Sequence, residues 1–180
     1  MAALQALAAF TTVLRGLPAA TIAPSHIGLV RPAAAADLPA IVLSLADAHE
    51  ATIGLGNLVQ LAEVEAARWA STTGRRVKGQ LCAELWAADA AAVTGLNTAV
   101  LGHLATQASA LRSAGFAALS LKTLGPAQPL RTGALDALML PLAYAAVFED
   151  LVTPPTSGDG VIRTVHVDLV GEFAESMDIP

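Results

Sequence analysis

Apolar residues recur at helical spacing in two segments of the chain. Near its start, apolar positions three and four residues apart predict a short helix over residues 2–17. A longer apolar stripe predicts a second helix over about residues 89–113. Asp89 is suited to cap the start of this helix, and Gly115 is suited to end it in the left-handed conformation. The pattern therefore predicts one short N-terminal helix and one long helix.

Other segments alternate between apolar and polar residues or form short apolar runs, which is typical of strands. Strands are predicted at residues 27–30, 38–45, 77–87, 116–124, 136–150 and 161–170. Pro141 suggests that its strand lies at a sheet edge or contains a bulge, because proline cannot donate a ladder hydrogen bond. Residues 61–70 have helical character, and two interpretations stay open for them: a helical insertion or the tip of a long hairpin.

These elements predict an α+β fold in which a mostly antiparallel sheet packs against the one long helix, with the short helix at the N-terminus. A chain of 180 residues is long enough for one domain with a substantial core. We expect a single domain over residues 1–180, with an insertion at about 51–76 and an extended C-terminal segment at 171–180.

The composition changes this picture because the chain is unusually apolar. Hydrophobic residues make up 54% of the sequence, charged residues 14% and aromatic residues 4%. Intrinsic disorder is excluded, since it requires low hydrophobicity and high charge. The apolar runs are interrupted before the roughly 20 residues that a spanning helix needs. Arg15 follows the first run, whereas a signal peptide carries its positive charge in front. We therefore expect a soluble protein that buries surface against other subunits.

The net charge and the cysteine content further narrow the classes of protein to which the chain can belong. The net charge is −5, and the one basic cluster, residues 75–78, is short, which argues against a nucleic-acid reader. Cys82 is the single cysteine, so it cannot form an internal disulfide and fits a reducing compartment. Its apolar neighbours predict a buried strand thiol.

Residues with chemical potential are scattered along the chain. The four histidines fall in different predicted elements, at His26, His49, His103 and His166. His166 and Asp168 share one face of a predicted strand, where the aspartate could orient the imidazole, although two solvated side chains explain the spacing equally well. Glu149, Asp150 and Asp159 could bind a divalent cation or form a solvated hairpin end. We expect no catalytic, cofactor-binding or metal-binding residues, and hence not an enzyme.

The last two predicted strands, 136–150 and 161–170, are apolar on both faces and therefore need cover on both. A single long helix covers only one face of a sheet. We therefore expect these strands, with the turn at residues 153–160 between them, to lie at a subunit or partner interface. The interface residues predicted on this ground are Val147, Phe148, Ile162, Val165 and Val167.

The order of these signals resembles the tail terminator, or tail completion, family of tailed phages and phage-like particles. One part of the resemblance is a strand pair joined by a proline-rich loop, at residues 26–43. Another is a strand that ends in Trp86 and Ala87 and leads into the long helix. A last hairpin, at residues 143–150 and 160–169, completes the pattern. The resemblance covers most of the chain apart from about residues 51–76 and the final ten.

This resemblance implies a homo-oligomeric ring, usually a hexamer, at the distal end of a tube made of tail tube protein. Such a ring stops tube polymerisation and offers a surface to the neck or head, or to the sheath in contractile particles. The implied location is a virion or phage-like tail assembled in the host cytoplasm. The family has no catalytic residues to carry over. DNA would only pass through the lumen, and an acidic chain is compatible with that passage.

Two other classes stay open at this point. A tube, neck or baseplate component of the same kind of particle would use a similar small α+β scaffold. A small α+β enzyme would draw its site from His103, His166 and Asp168, and would need those side chains within hydrogen-bond reach of one another.

Overall fold

The computed structural model describes residues 2–53, 58–65, 68–132 and 135–152. Within these residues, three helices and a seven-stranded sheet form an α+β fold, as the pattern predicts. The helices are α1 (Ala2–Leu14), α2 (Ala90–Thr106) and α3 (Ala108–Ser113). The strands are β1 (Ile27–Gly28), β2 (Ala40–Thr52), β3 (Leu58–Glu65), β4 (Arg68–Ala87), β5 (Phe116–Leu124), β6 (Gln128–Thr132) and β7 (Leu135–Val152).

The sheet is mostly antiparallel. Its strands lie in the order β1-β2-β4-β7-β5, with β3 paired to β4 and β6 paired to β7. The two-residue strand β1 runs parallel to its neighbour β2. The long strands β4 and β7 pair in one continuous register, from Thr73 opposite Val152 to Ala87 opposite Leu138. These two strands therefore form the centre of the sheet and set its length.

The helices pack against one face of the sheet, which we call the helix side. Strand residues that point to this side are mostly apolar and include the large buried side chains of the core, in keeping with the two-residue period of a half-buried strand. The ring of Phe10, on α1, is fully buried and lies 5.7 Å from the ring of Tyr144 and 6.3 Å from that of Phe116. The core of the domain therefore lies between α1, α2 and the three strands β2, β4 and β7.

The predicted long helix is divided at Gln107, where α2 ends and α3 begins. Neither glycine nor proline stands there, so the pattern contains no signal for the break. Both predicted ends are confirmed. The Asp89 carboxylate accepts a hydrogen bond of 2.8 Å from the Ala92 N–H. Gly115 has a φ of 103°, and a Cβ there would lie 2.8 Å from the Glu149 carbonyl oxygen, so this position favours glycine.

The helical interpretation of residues 61–70 is wrong. The residues of this segment that the structure describes are extended, and β3 pairs with β4 so that Leu61 lies opposite Ser71. The hairpin interpretation is therefore the one that fits. Alanine and glutamate favour a helix by only a few tenths of a kcal/mol each over most other residues, and pairing with β4 overrides that preference.

Pro141 lies in a central strand, not at the sheet edge that its missing N–H suggests. Strand β5 pairs with β7 up to Leu142, and β6 pairs with it up to Met139. Pro141 thus falls in the gap between these two partners, where its carbonyl accepts a hydrogen bond from Gly125 N–H at 2.9 Å. The missing donor costs no ladder bond, because neither strand pairs with β7 at that position.

Two further differences concern the strands. The short strand predicted at residues 27–30 stops at Gly28, and Leu29 and Val30 are exposed. The predicted pattern contains no counterpart of β6, whose five residues include Pro129. The predicted strand at 161–170 lies outside the described residues. The strand predicted at 116–124 is confirmed at both ends.

Candidate assembly surface

The face of the sheet opposite the helices carries small and polar side chains, and we call it the helix-free face. Every second residue of each central strand points to this face, and these residues lie side by side across the sheet. Its members are Ser44 and Ala46 of β2, Lys78, Gln80 and Cys82 of β4, Ala143, Ala145 and Val147 of β7, and Ala118 and Ser120 of β5. These side chains are half-buried or exposed, so the described part of the chain leaves this face largely uncovered.

One end of the helix-free face is covered by the loop that connects β1 to β2. Beneath it, Trp86 is buried in a small apolar cluster with Val42 and Leu135. The Trp86 indole N–H donates to Glu84 Oε2 at 3.1 Å, and Arg31 of the loop donates to both Glu84 oxygens, at 3.0 and 2.7 Å. The loop is thereby held to the sheet by a bidentate ion pair.

Charged side chains also form hydrogen bonds within this loop. The Glu84 carboxylate, through its hydrogen bonds and its charge, raises the pKa of the Arg31 guanidinium above its usual value. The Asp37 carboxylate accepts hydrogen bonds from the N–H groups of Ala34 and Ala33, at 2.9 and 3.0 Å. These bonds favour the charged form and lower the pKa of Asp37 below its usual value. The loop is thus a folded part of the surface.

The centre of the helix-free face carries uncharged and mostly small side chains. Ser44, Cys82 and Ala143 lie side by side in one row, and Ala46, Gln80 and Ala145 in the next. Cys82 is half-buried on this face and not in the core, so the prediction of a buried strand thiol is wrong. Its apolar neighbours in the sequence point to the helix side, while Cys82 points away from it.

The other end of the face is charged. Arg76 and Glu149 lie opposite each other on β4 and β7, and the Arg76 guanidinium donates to Glu149 Oε1 through Nε at 2.9 Å. Lys78 is exposed in the next row of the same face, beside Val147. The helix-free face therefore has a neutral centre with an ion pair at each end.

The predicted interface residues fall in three different places. Val147 lies half-buried on the helix-free face, where a partner could cover it. Phe148 is only 5% exposed and belongs to the core, with its ring 5.2 Å from that of Phe116. Its assignment to an interface is therefore a mistake, since neighbouring strand residues point to opposite faces and the helices cover this one. Ile162, Val165 and Val167 lie outside the described residues.

The histidines that the structure describes serve separate purposes. His103 Nε2 donates to the Val13 carbonyl oxygen at 2.8 Å and so ties α2 to the end of α1. His26 Nδ1 donates to the Pro39 carbonyl oxygen at 3.1 Å. His49 is exposed on β2, and His166 and Asp168 lie outside the described residues. Among the described residues, no group of three histidine, cysteine or acidic side chains is placed to hold a metal ion.

A second surface, which the sequence reasoning did not single out, lies between β5 and the helices α2 and α3. These elements enclose an open groove of about 480 Å³, with Leu101 and Leu111 on the helical wall, Leu119 and Leu121 on β5, and Tyr144 at its floor. Leu121 is 43% exposed and Leu124 is 51% exposed. In the sequence, Leu119 and Leu121 alternate with the polar residues Ser120 and Lys122, which predicts a strand with one apolar face, but no sequence signal shows that β5 ends the strand order.

No protein-family model and no curated protein matches this chain. No helix in the described ranges is long and apolar enough to cross a membrane.

Proposed function

We propose that this chain is a structural subunit of a closed ring that caps the tail tube of a phage or phage-like particle. In this role it ends tube polymerisation and offers a surface to the neck, the head or the sheath. The observation that carries the proposal is the helix-free face, which the described part of the chain leaves uncovered while all three helices lie on the other side.

The chemistry of the helix-free face suits contact with a protein surface. Its centre holds small neutral side chains, which allow another backbone to approach closely without desolvating a charge. The flanking pairs Arg76–Glu149 and Arg31–Glu84 are already neutralised within the chain. A face of this kind packs readily against a flat partner, and the apolar excess of the sequence requires such burial.

A closed ring is the assembly best suited to a protein that caps the end of a tube. Contacts between different faces of identical subunits either close into a ring or continue as a filament. A terminator has to close, since it must not itself polymerise. The net charge of −5 is consistent with a lumen through which DNA passes without adhering.

The proposal gives the chain no catalytic role. Of the three residues from which an enzyme site was considered, His103 has its Nε2 bound to the Val13 carbonyl oxygen. That bond ties two helices together and leaves this nitrogen unable to act as a base on a substrate.

Native mass spectrometry and negative-stain electron microscopy test the proposal on the purified full-length chain. We expect a hexameric ring with a central opening at micromolar concentration. When mixed with the tail tube protein of its own particle, the ring should bind tube ends and limit tube length. A stable monomer would contradict the ring. A chain that polymerises into tubes by itself would replace the proposed function with that of a tube component.

A matched pair of variants connects this test to the helix-free face. Ala145→Asp places a carboxylate in the neutral centre of the expected contact, opposite Gln80 and Ser120, and should reduce ring formation at least tenfold. Ala91→Asp introduces the same group at an exposed position in the first turn of α2, on the helix side, and should leave the ring intact. Equal behaviour of the two variants would show that the helix-free face is not the contact.

A further inference from the structure

The groove between β5 and the helices α2 and α3 has the size and the lining of a site for a small apolar molecule. Its volume of about 480 Å³ falls in the range of roughly 300–1,000 Å³ that is usual for ligand pockets. Leu101 and Leu111 line it from the helices, and Leu119 and Leu121 line it from β5. Leu121 is exposed although it lies opposite the buried Tyr144. A ligand in the groove would remove this apolar surface from water.

The floor of the groove contains a polar group without a partner. The Tyr144 side chain is 3% exposed, and within the described part of the chain its hydroxyl forms no hydrogen bond. Buried polar groups of folded proteins are hydrogen-bonded in the large majority of cases, because an unpaired hydroxyl away from water is unfavourable. Since Tyr144 borders the groove, a ligand with an acceptor oxygen could supply the missing partner.

A cation borders the same groove. Arg112, on α3, is exposed, and its guanidinium has neither a hydrogen bond nor an ion pair among the described residues. Five other arginines of the described ranges each bond or pair with an oxygen atom of the chain: Arg15, Arg31, Arg75, Arg76 and Arg131.

The sequence around the groove leaves this cation without a counter-charge. Residues 90–135, which form both walls of the groove, contain no acidic residue. An arginine in this position favours an anionic ligand, and the planar guanidinium binds a carboxylate through two parallel hydrogen bonds. The groove therefore combines apolar walls with two donors, Arg112 and Tyr144, that can bind a carboxylate.

A peptide strand is a different occupant for a groove beside an edge strand, but the edge of β5 is irregular. The register of β5 on β7 shifts between Phe116 and Ala118. It shifts a second time at Lys122, between Leu121 and Thr123. Bulges and charged residues are the features by which sheet edges resist the addition of another strand. The groove is therefore better suited to a molecule that forms no backbone ladder.

We propose that the groove between β5 and α2–α3 binds a monocarboxylic acid with an unbranched apolar chain. The carboxylate accepts hydrogen bonds from the Arg112 guanidinium and the Tyr144 hydroxyl, and the apolar chain lies on the leucines of both walls. This binding does not require the ring proposed above, because the groove lies on the helix side of the sheet and the helix-free face lies on the other.

Isothermal titration calorimetry of the full-length chain tests the site with monomeric decanoate at neutral pH. We expect saturable binding at one site per chain. Octanoate should bind about tenfold more weakly, because it buries two fewer CH₂ groups. Decyltrimethylammonium, which has the same chain and the opposite charge, should not bind. Tyr144 is the only tyrosine, so its difference absorbance should follow the same isotherm and locate the ligand in the groove.

Three variants test the two donors. Arg112→Gln should weaken decanoate binding at least tenfold and leave the binding of uncharged 1-decanol unchanged. Arg131→Gln is the matched control, since Arg131 lies on β6 and does not line the groove, and it should bind decanoate as the original chain does. Tyr144→Phe keeps the ring and should weaken decanoate binding at least threefold. Circular dichroism verifies that each variant keeps its secondary structure.

Several results would overturn the proposal. Absence of saturable decanoate binding, or equal binding of decyltrimethylammonium, would remove the carboxylate site. Equal affinities of Arg112→Gln and Arg131→Gln would place the ligand elsewhere, and an unchanged affinity in Tyr144→Phe would contradict the assigned geometry. A blocked peptide of alternating leucine and glutamate is the last probe. Binding of this peptide without binding of decanoate would assign the groove to a strand of a partner protein instead.

Discussion

The two faces of the sheet are formed by the same strands but differ in the size and polarity of their side chains. On β4, Leu81 and Leu85 point to the helix side and are fully buried, whereas Gln80 and Cys82 point to the helix-free face and are half-buried. Large apolar side chains gain free energy when the helices remove them from water. Small and polar ones tolerate contact with water, so this face does not need cover for the domain to fold. The difference separates residues that fold the domain from residues that are available to the proposed assembly.

The largest expected effect concerns assembly and comes from the predicted interface residues Val165 and Val167, which lie outside the described residues. The double variant Val165→Asp, Val167→Asp should abolish assembly, because two buried carboxylates without partners cost several kcal/mol. The folded domain should keep its helical content, since α1, α2 and α3 do not contain these residues. Size-exclusion chromatography with light scattering measures the first result and circular dichroism the second.

The control for this experiment changes the opposite face of the same segment. Thr164→Asp, His166→Asp adds equal charge at positions expected to face water, so assembly should persist. An unchanged assembly in the valine double variant would show that these valines lie at no contact.

The next largest effect compares two neighbouring residues of β4. Leu81→Ala should lower the free energy of unfolding by about 2–5 kcal/mol, because it leaves a cavity among fully buried neighbours. Gln80→Ala, one residue earlier and on the helix-free face, should change it by no more than about 0.5 kcal/mol. Urea unfolding of the two variants measures both values. Similar losses would mean that the helix-free face is as closely packed as the core.

Local sequence patterns predict some elements and their ends correctly and miss others. Alternation of apolar residues was enough to place β5 at its correct ends, and capping chemistry located Asp89 and Gly115 correctly. The division of the helix at Gln107 has no signal in the sequence, and the strand at 61–65 is extended because it pairs with the neighbouring β4, which overrides its weak helical preference.

Candidate surfaces were harder to predict than elements. Phe148 was assigned to an interface because both faces of its strand looked apolar, and only the position of the helices shows that it belongs to the core. Pro141 indicates a sheet edge or a bulge, but it lies in the centre of the sheet in unbroken register with β4, and the gap between β5 and β6 accommodates it. Which face a helix covers is decided by tertiary packing, and the period of a strand does not contain that information.

The pKa of Tyr144 tests whether the helix side is closed to water, because this residue places a titratable group on that side of the sheet. Burial raises its pKa to about 12. Its side chain is 3% exposed, and its hydroxyl has no hydrogen-bond partner within the described part of the chain. Since the folded pKa is above the unfolded value of about 10, the associated stability is complete below pH 10 and is lost as the pH rises towards 12. The loss should not exceed about 3 kcal/mol.

The measurement is simple because Tyr144 is the only tyrosine in the sequence. Phenolate absorbance should titrate near pH 12 in the folded protein and near pH 10 in denaturant. Circular dichroism recorded at each pH identifies the point at which the fold is lost. A midpoint near pH 10 with the fold intact would mean that the hydroxyl is accessible to water, contrary to its position under α1.

The smallest expected effect is that of replacing His103, which connects α2 to α1 on the helix side of the sheet. His103→Gln keeps an N–H donor that can reach the Val13 carbonyl oxygen, so the free energy of unfolding should change by no more than about 1 kcal/mol, and assembly should be intact. His103→Leu removes the donor and should cost about 1–2 kcal/mol, because the half-buried carbonyl then loses its side-chain partner. Thermal and urea unfolding of the two variants give the difference. Loss of assembly in His103→Gln, with its stability unchanged, would assign this histidine to a subunit contact and extend the assembly surface to the helix side.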